Sequence, residues 1–163
     1  MRTPKRPHAD DAPALKGLDT MIGYHLRLAY NMQVQRFATI GGSFNIRPPQ
    51  FAILAILHHN PRLKQTELTK ALNKKHANIV TLLDELQGRN LLSRTTDADD
   101  KRSRVLDLTP AGQKLAAKLI ARQALLDRDL RRAFGSERLD RLYELLDAFR
   151  RLDPEPTIDE PQS

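Results

Sequence analysis

Two short runs, 91-LLSRT-95 and 104-RVLDL-108, flank a loop that carries both signs of charge, in a chain otherwise patterned at the helical period. Alternation over five residues sends successive side chains to opposite faces of a strand, so the pair reads as a hairpin. Everything around it reads as helix, so the fold class is mainly α with a small β-hairpin. The loop between the runs holds Asp97, Asp99, Asp100, Lys101 and Arg102, and Arg104 opens the second run. That concentration of charge on a thin tip is the feature a function must explain.

The helices follow from apolar periodicity. Leu18, Met21, Ile22, His25, Leu28, Ala29, Met32 and Arg36 share one face of a first helix, and Gly41-Gly42 breaks it. A second helix starts at Pro48-Pro49, where proline fits a first turn, and stops before Asn60-Pro61. QTELTKAL, residues 65–72, makes a short third helix with Leu68 and Leu72, and Asn73 begins a turn. A fourth helix buries Ile79, Leu82, Leu83 and Leu86. After the hairpin, 109-TPAG-112 opens a long helix that Gly135 stops. Ser136 caps a last helix with Leu139, Leu142, Leu146 and Phe149 on one face.

This order divides the chain into an arm (1–14), an N-terminal helix (15–47), a helix-turn-helix with a hairpin wing (48–109), C-terminal helices (110–152) and an acidic, proline-rich tail (153–163). Two short helices, a tight turn and a longer helix form a helix-turn-helix; a charged hairpin directly after it makes the winged form. An α-helix fits the major groove of duplex DNA, and its N-terminal residues reach base edges. A thin wing can set an arginine against the neighbouring minor groove.

With Ile79, Leu82, Leu83 and Leu86 inward, Lys74, Ala77, Thr81 and Asp84 point outward, and His76 and Asn78 lie at the rim. Ala77 and Thr81 are small enough for close approach to a groove; Lys74 and Lys75 suit phosphates. Residues 62–104 hold ten Lys or Arg against six Asp or Glu, and the whole chain carries a formal charge of +7, both favouring a polyanionic partner. A winged helix that binds protein instead of DNA is the alternative within the same architecture.

Other classes find little support. The absence of cysteine excludes a thiol nucleophile, a disulfide scaffold and Cys-ligated zinc. There is no glycine-rich phosphate loop and no Gly-x-Ser-x-Gly. The adjacent His58 and His59 point in different directions on a helix, without a carboxylate motif beside them. No enzyme, cofactor or metal is therefore expected. No apolar run approaches the roughly 18 residues of a membrane span. The N-terminus lacks the apolar segment of a secretory signal, so a cytoplasmic location is expected.

The stretches 46-IRPPQFAILAIL-57, 65-QTELTKAL-72, 91-LLSR-94, 100-DKRS-103 and 108-LTPAG-112 together resemble the MarR family of bacterial transcription regulators. The resemblance covers about residues 18–150. It implies a homodimer with one winged helix per subunit, seated on a palindromic operator in double-stranded DNA, with repression the commoner mode. In the family pattern the wing arginine, here Arg102, reaches the minor groove. The wing aspartate, here Asp100, braces the loop through basic neighbours such as Arg94 or Arg104. Asp97 and Asp99 are expected to cap the turn.

Two positions depart from the pattern. Asn90 stands where glycine is usual, and asparagine can supply the same left-handed conformation. Lys101 stands where arginine is commoner, keeping the charge but losing the bidentate fork. The dimer would be held by Leu115, Leu119, Leu126, Leu130 and Phe134, by Leu139, Leu142, Leu146 and Phe149, and by Leu15 and Leu18, with part of these serving the subunit's own core.

The resemblance also implies a small effector, aromatic or anionic, entering between the dimer helices and the DNA-binding lobe. His25 and Arg36 on the first helix, with Tyr24, Tyr30, Phe44 and Phe51, are candidates to line such a cleft. More narrowly, the second and third helices, with 24-YHLRLAY-30, are similar to a subgroup that controls aromatic acid catabolism and responds to hydroxycinnamoyl-CoA thioesters. For the phosphates of an aromatic acyl-CoA, Arg27, Arg36 and Arg47 are the candidates.

Overall fold

The computed structural model describes residues 17–73, 76–97, 101 and 103–152, and it falls into two compact units that divide between Pro48 and Pro49. Lys74, Lys75, Asp99, Asp100, Arg102, Leu15, the arm and the tail lie outside the described residues. So does the side chain of His76.

The first unit is built on α1 (Ile22–Gly41), preceded by a single 3-10 turn at Leu18–Thr20. The helical face read from Leu18 therefore begins four residues later as α-helix. α1 ends at Gly41, where the sequence placed the break, and a Cβ there would lie 2.3 Å from the Phe37 ring and 2.7 Å from the Ile46 carbonyl oxygen, so the chain packs back on the helix only over a glycine. A second 3-10 turn, Gly42–Phe44, follows, and Asn45 closes it in the left-handed region at φ 50°. Phe37, Ile40 and Ile46 are buried, whereas Met21, Ile22, Leu28, Tyr30 and Met32 stay exposed.

The second unit begins within α2 (Pro48–His59) and continues through β1 (Leu63–Lys64), α3 (Gln65–Leu72), α4 (His76–Gly88), β2 (Leu92–Thr96), β3 (Arg104–Leu108), α5 (Pro110–Phe134) and α6 (Ser136–Arg150). Its core joins Ile53, Leu54 and Leu57 of α2, Leu68 of α3, Ile79, Leu83 and Leu86 of α4, and Leu92 and Leu106 of the strands, with Leu119 of α5. Each such side chain, fully withdrawn from water, stabilises the unit by about 2 kcal/mol. Leu82, expected in the core, is only half-buried.

The sheet has three strands in the order β1-β3-β2, all antiparallel, with Leu63 opposite Leu106 and Arg94 also opposite Leu106 on the other side. The hairpin was legible as two strands; β1 was not, since two residues carry no alternation to read. Arg62 enters β1 at φ 57°, uncommon for a side chain of this size, and its N–H donates to Asp107 Oδ1 at 2.9 Å.

The join between wing and α5 explains 108-LTPAG-112. Thr109 caps α5: its Oγ1 accepts from the Gly112 N–H at 3.0 Å and donates to the Asn90 carbonyl at 2.7 Å. Pro110 takes the first helical position. A Cβ on Gly112 would lie 1.8 Å from the Leu91 carbonyl oxygen, so only glycine admits this approach. Asn90 adopts φ 54° and ends α4 with the paired bonds Leu91 N–H to Leu86 carbonyl and Asn90 N–H to Gln87 carbonyl, at 3.0 and 2.8 Å. Asparagine thus does the work expected of glycine at that position.

At the far end, Gly135 at φ 80° both ends α5 and caps α6; Ser136 is the first residue of α6 and not its cap. Leu119 and Leu139 are buried within the chain, which removes them from the expected dimer stripes. No described helix is long and apolar enough to cross a membrane.

Candidate nucleic-acid interface

The site is assembled on α4. Burial of Ile79, Leu83 and Leu86 fixes the rotation of the helix, so Ala77, Asn78, Thr81 and Asp84 are all exposed on its outer side. Gln50 on α2, itself buried, donates from Nε2 to Glu85 Oε2 at 2.7 Å and locks α4 against α2. Thr81 Oγ1 donates back to the Ala77 carbonyl at 3.3 Å, so part of its polar capacity is satisfied by its own helix.

The wing hangs between β2 and β3. Its base is closed by the Asp97 N–H donating to the Ser103 carbonyl at 3.0 Å. Lys101 is exposed on the tip, and Arg104 is exposed at the start of β3 with Nη1 donating to Thr96 Oγ1 at 3.0 Å. Asp97 is buried and pairs with Lys64 Nζ at 3.0 Å, so it anchors the wing to β1 as well as shaping the turn.

Arg94 has a partner that the sequence did not suggest. Its side chain is only 18% exposed, and its Nη2 is ion-paired with the Asp84 carboxylate of α4. That geometry makes it a brace between α4 and β2. Asp84, read as one of the outward residues of the helix, thereby gains a partner ten residues on. Neither pairing had a signal in local sequence: Asp84 with Arg94 and Lys64 with Asp97 are brought together by the sheet.

The effector candidates are spread over both units. On α1, the Arg27 guanidinium lies 5.6 Å from the Tyr24 ring centre. His25 is exposed, and its Nε2 donates to the Asp19 carbonyl at 2.7 Å, fastening the first turn of α1. Tyr30 is exposed, Arg36 and Phe44 are half-buried, and Phe51 is half-buried on α2 in the second unit. The first unit itself contains a pocket of about 250 Å³ lined by Val34, Phe37, Ala38, Gly42, Asn45, Ile46, Arg47 and Pro48. Of the proposed ligand cations, Arg47 is the one on its wall. Among the described residues no cluster of His, Asp or Glu could hold a metal; His58 instead meets Gln113 Oε1 through Nδ1 at 2.7 Å, tying α2 to α5.

The MarR family model matches residues 46–103, the segment from the start of α2 through the wing. The transcriptional repressor CouR, solved bound to a 23-mer DNA duplex, superposes with a TM-score of 0.79 at 30% identity, over 86% of this chain and 100% of that one. The chain belongs to the MarR family. This is a family of winged-helix transcriptional regulators, not of enzymes. CouR bound to p-coumaroyl-CoA also matches, with a TM-score of 0.76 at 28% identity over 87% of this chain and 100% of that one. A protein assigned to regulation of the hcr operon of Thauera aromatica is 29% identical over 66% of this MarR chain and 64% of its own length. The transcriptional regulator HosA of Escherichia coli O157:H7 is 32% identical over 47% of this chain and 56% of its own. The match to these curated relatives thus spans less than two thirds of their length.

Proposed function

We propose that this MarR protein is a cytoplasmic, dimeric repressor that holds a palindromic DNA operator and leaves it when an aromatic acyl-CoA binds. The observation that carries the reading is the exposed, small and uncharged start of α4 (Ala77, Asn78 and Thr81), set on a helix whose other face is locked in the core, with Lys101 and Arg104 exposed on the wing that follows. In this reading α4 lies in the major groove, with Asn78 and His76 toward base edges and Lys74 and Lys75 on phosphates. Lys101, Arg102 and Arg104 serve the wing, and Asp100 steadies it.

Exposed leucines and aromatics on α6 support a dimer: Leu142, Tyr143, Leu145, Leu146 and Phe149 each keep 37–54% of their surface open to water. Two winged helices joined by symmetry gain affinity through effective concentration. The likeness to CouR, whose structure holds p-coumaroyl-CoA, supports a thioester effector, and the pocket beside Arg47 could take an apolar acyl end next to a cation. A mobility-shift titration tests both parts. The dimer should shift an operator-bearing fragment, with affinity falling steeply as salt displaces it from about six to ten phosphates, and hydroxycinnamoyl-CoA should release that fragment. Retention of the fragment at saturating thioester would remove the effector assignment while leaving DNA binding intact.

A further inference from the structure

The wing is joined to the helix-turn-helix by more than the β-hairpin, and the extra joint converges on one lysine. Lys64 lies in the two-residue strand that leads into α3 and stands opposite Val105 of β3. Its backbone N–H donates to Glu67 Oε2 at 2.9 Å, fixing the first turn of α3. Its Nζ is 3.0 Å from Asp97 Oδ2, and Asp97 is the residue whose N–H closes the base of the wing on Ser103. The Asp97 side chain is 10% exposed and that of Lys64 44%, so the carboxylate is the buried partner and the ammonium reaches in to meet it.

We propose that Lys64 is a positioning residue that sets the wing's angle against the helix-turn-helix through Asp97, so that wing and α4 engage DNA in one register. Three observations lead there. Two strand residues are too few to hold an orientation by pairing alone. The Asp97 carboxylate is largely withdrawn from water and ion-paired with Lys64, so parting the two gives up a partly desolvated charge pair. The same lysine is bonded to α3 at its backbone and to the wing at its side chain, so it links the two directly. Asp107, accepting from the Arg62 N–H, steadies the strand on the other side.

This inference rests on the DNA-binding reading, and the test separates the two. Without DNA, hydrogen exchange is measured at the Asp97 amide, whose bond to the Ser103 carbonyl closes the wing's base, in the wild type, Lys64→Met, Lys64→Arg and Asp97→Asn. The two charge-removing variants should speed exchange there while leaving α4 unchanged, and Lys64→Arg should restore slow exchange. Unchanged exchange in Lys64→Met overturns the proposal whatever DNA does. With an operator fragment at several salt concentrations, each charge-removing variant should lose about five- to tenfold in affinity, and the double variant no more than the worse single. The salt slope should stay that of the wild type. If Lys64→Met instead lowers the slope by about one and Asp97→Asn binds normally, Lys64 is a phosphate contact and the proposal is wrong. Should Asp97→Asn fail to fold, Lys64→Met and Lys64→Arg, altered at the more open end of the pair, decide the matter. A wild type that binds no DNA at all would overturn the proposed function, and the exchange measurement would still judge the joint.

Discussion

Helices α4 and α6 are nearly the same length and equally amphipathic in pattern, yet they end in opposite situations. α4 buries Ile79, Leu83 and Leu86 completely and turns a small, polar face outward. α6 buries Leu139 and leaves Leu142, Leu145, Leu146 and Phe149 exposed. In α4 the apolar side is satisfied within the chain, so the polar side is free to act on something else. In α6 the apolar side is itself the unsatisfied surface, and a contiguous exposed patch of that kind marks a partner interface. Polarity of the outward face therefore separates the helix proposed to read DNA from the helix proposed to join two copies.

The contrast can be broken by substitution. The largest effect is expected from Leu83→Ala, which removes a fully buried side chain and should cost about 3 kcal/mol, seen as a lower midpoint in urea. Next, Leu142→Glu combined with Phe149→Glu should leave each subunit folded but abolish dimers in sedimentation velocity, and operator binding should weaken with them. If that variant stays dimeric, α6 is not the joining surface. Asn78→Ala should lose about 1–3 kcal/mol of discrimination at one base position, read from a binding series over operator variants. Equal loss on every sequence would instead assign Asn78 to the DNA backbone.

The smallest effect belongs to Asp147, at the end of α6. Hydrogen bonding from Arg150 at 2.6 Å, with the charge of Arg151 beside it, holds its carboxyl below the usual aspartate range. A depressed value means that its contribution is complete above the ordinary aspartate pKa and fades as pH falls through the lowered one. These are exposed ion pairs, worth little. Asp147→Asn should therefore leave thermal stability nearly unchanged at neutral pH, with the wild type losing its slight advantage only in acid.

Legibility in the sequence tracked how local the cause was. The boundaries of α3, the turn that begins at Asn73, the left-handed Asn90 and the stop at Gly135 were readable because each depends on a residue's own backbone preference. The inward face of α4 was readable because its period is intrinsic to the helix. β1 was hidden because two residues hold no period. The bond from His25 to the Asp19 carbonyl was hidden because it depends on a turn that precedes the helix.

The amino-acid order alone thus determined the winged-helix architecture, the outward residues of α4 and the family. All three rest on periodicities and backbone preferences that act within a few residues. Tertiary structure alone decided that Arg94 meets Asp84, that Lys64 meets Asp97, and which leucines of α5 and α6 are core. Those outcomes depend on which side chains the sheet and helix packing bring within hydrogen-bond range, and residues 10 or 33 positions apart have no local rule that pairs them.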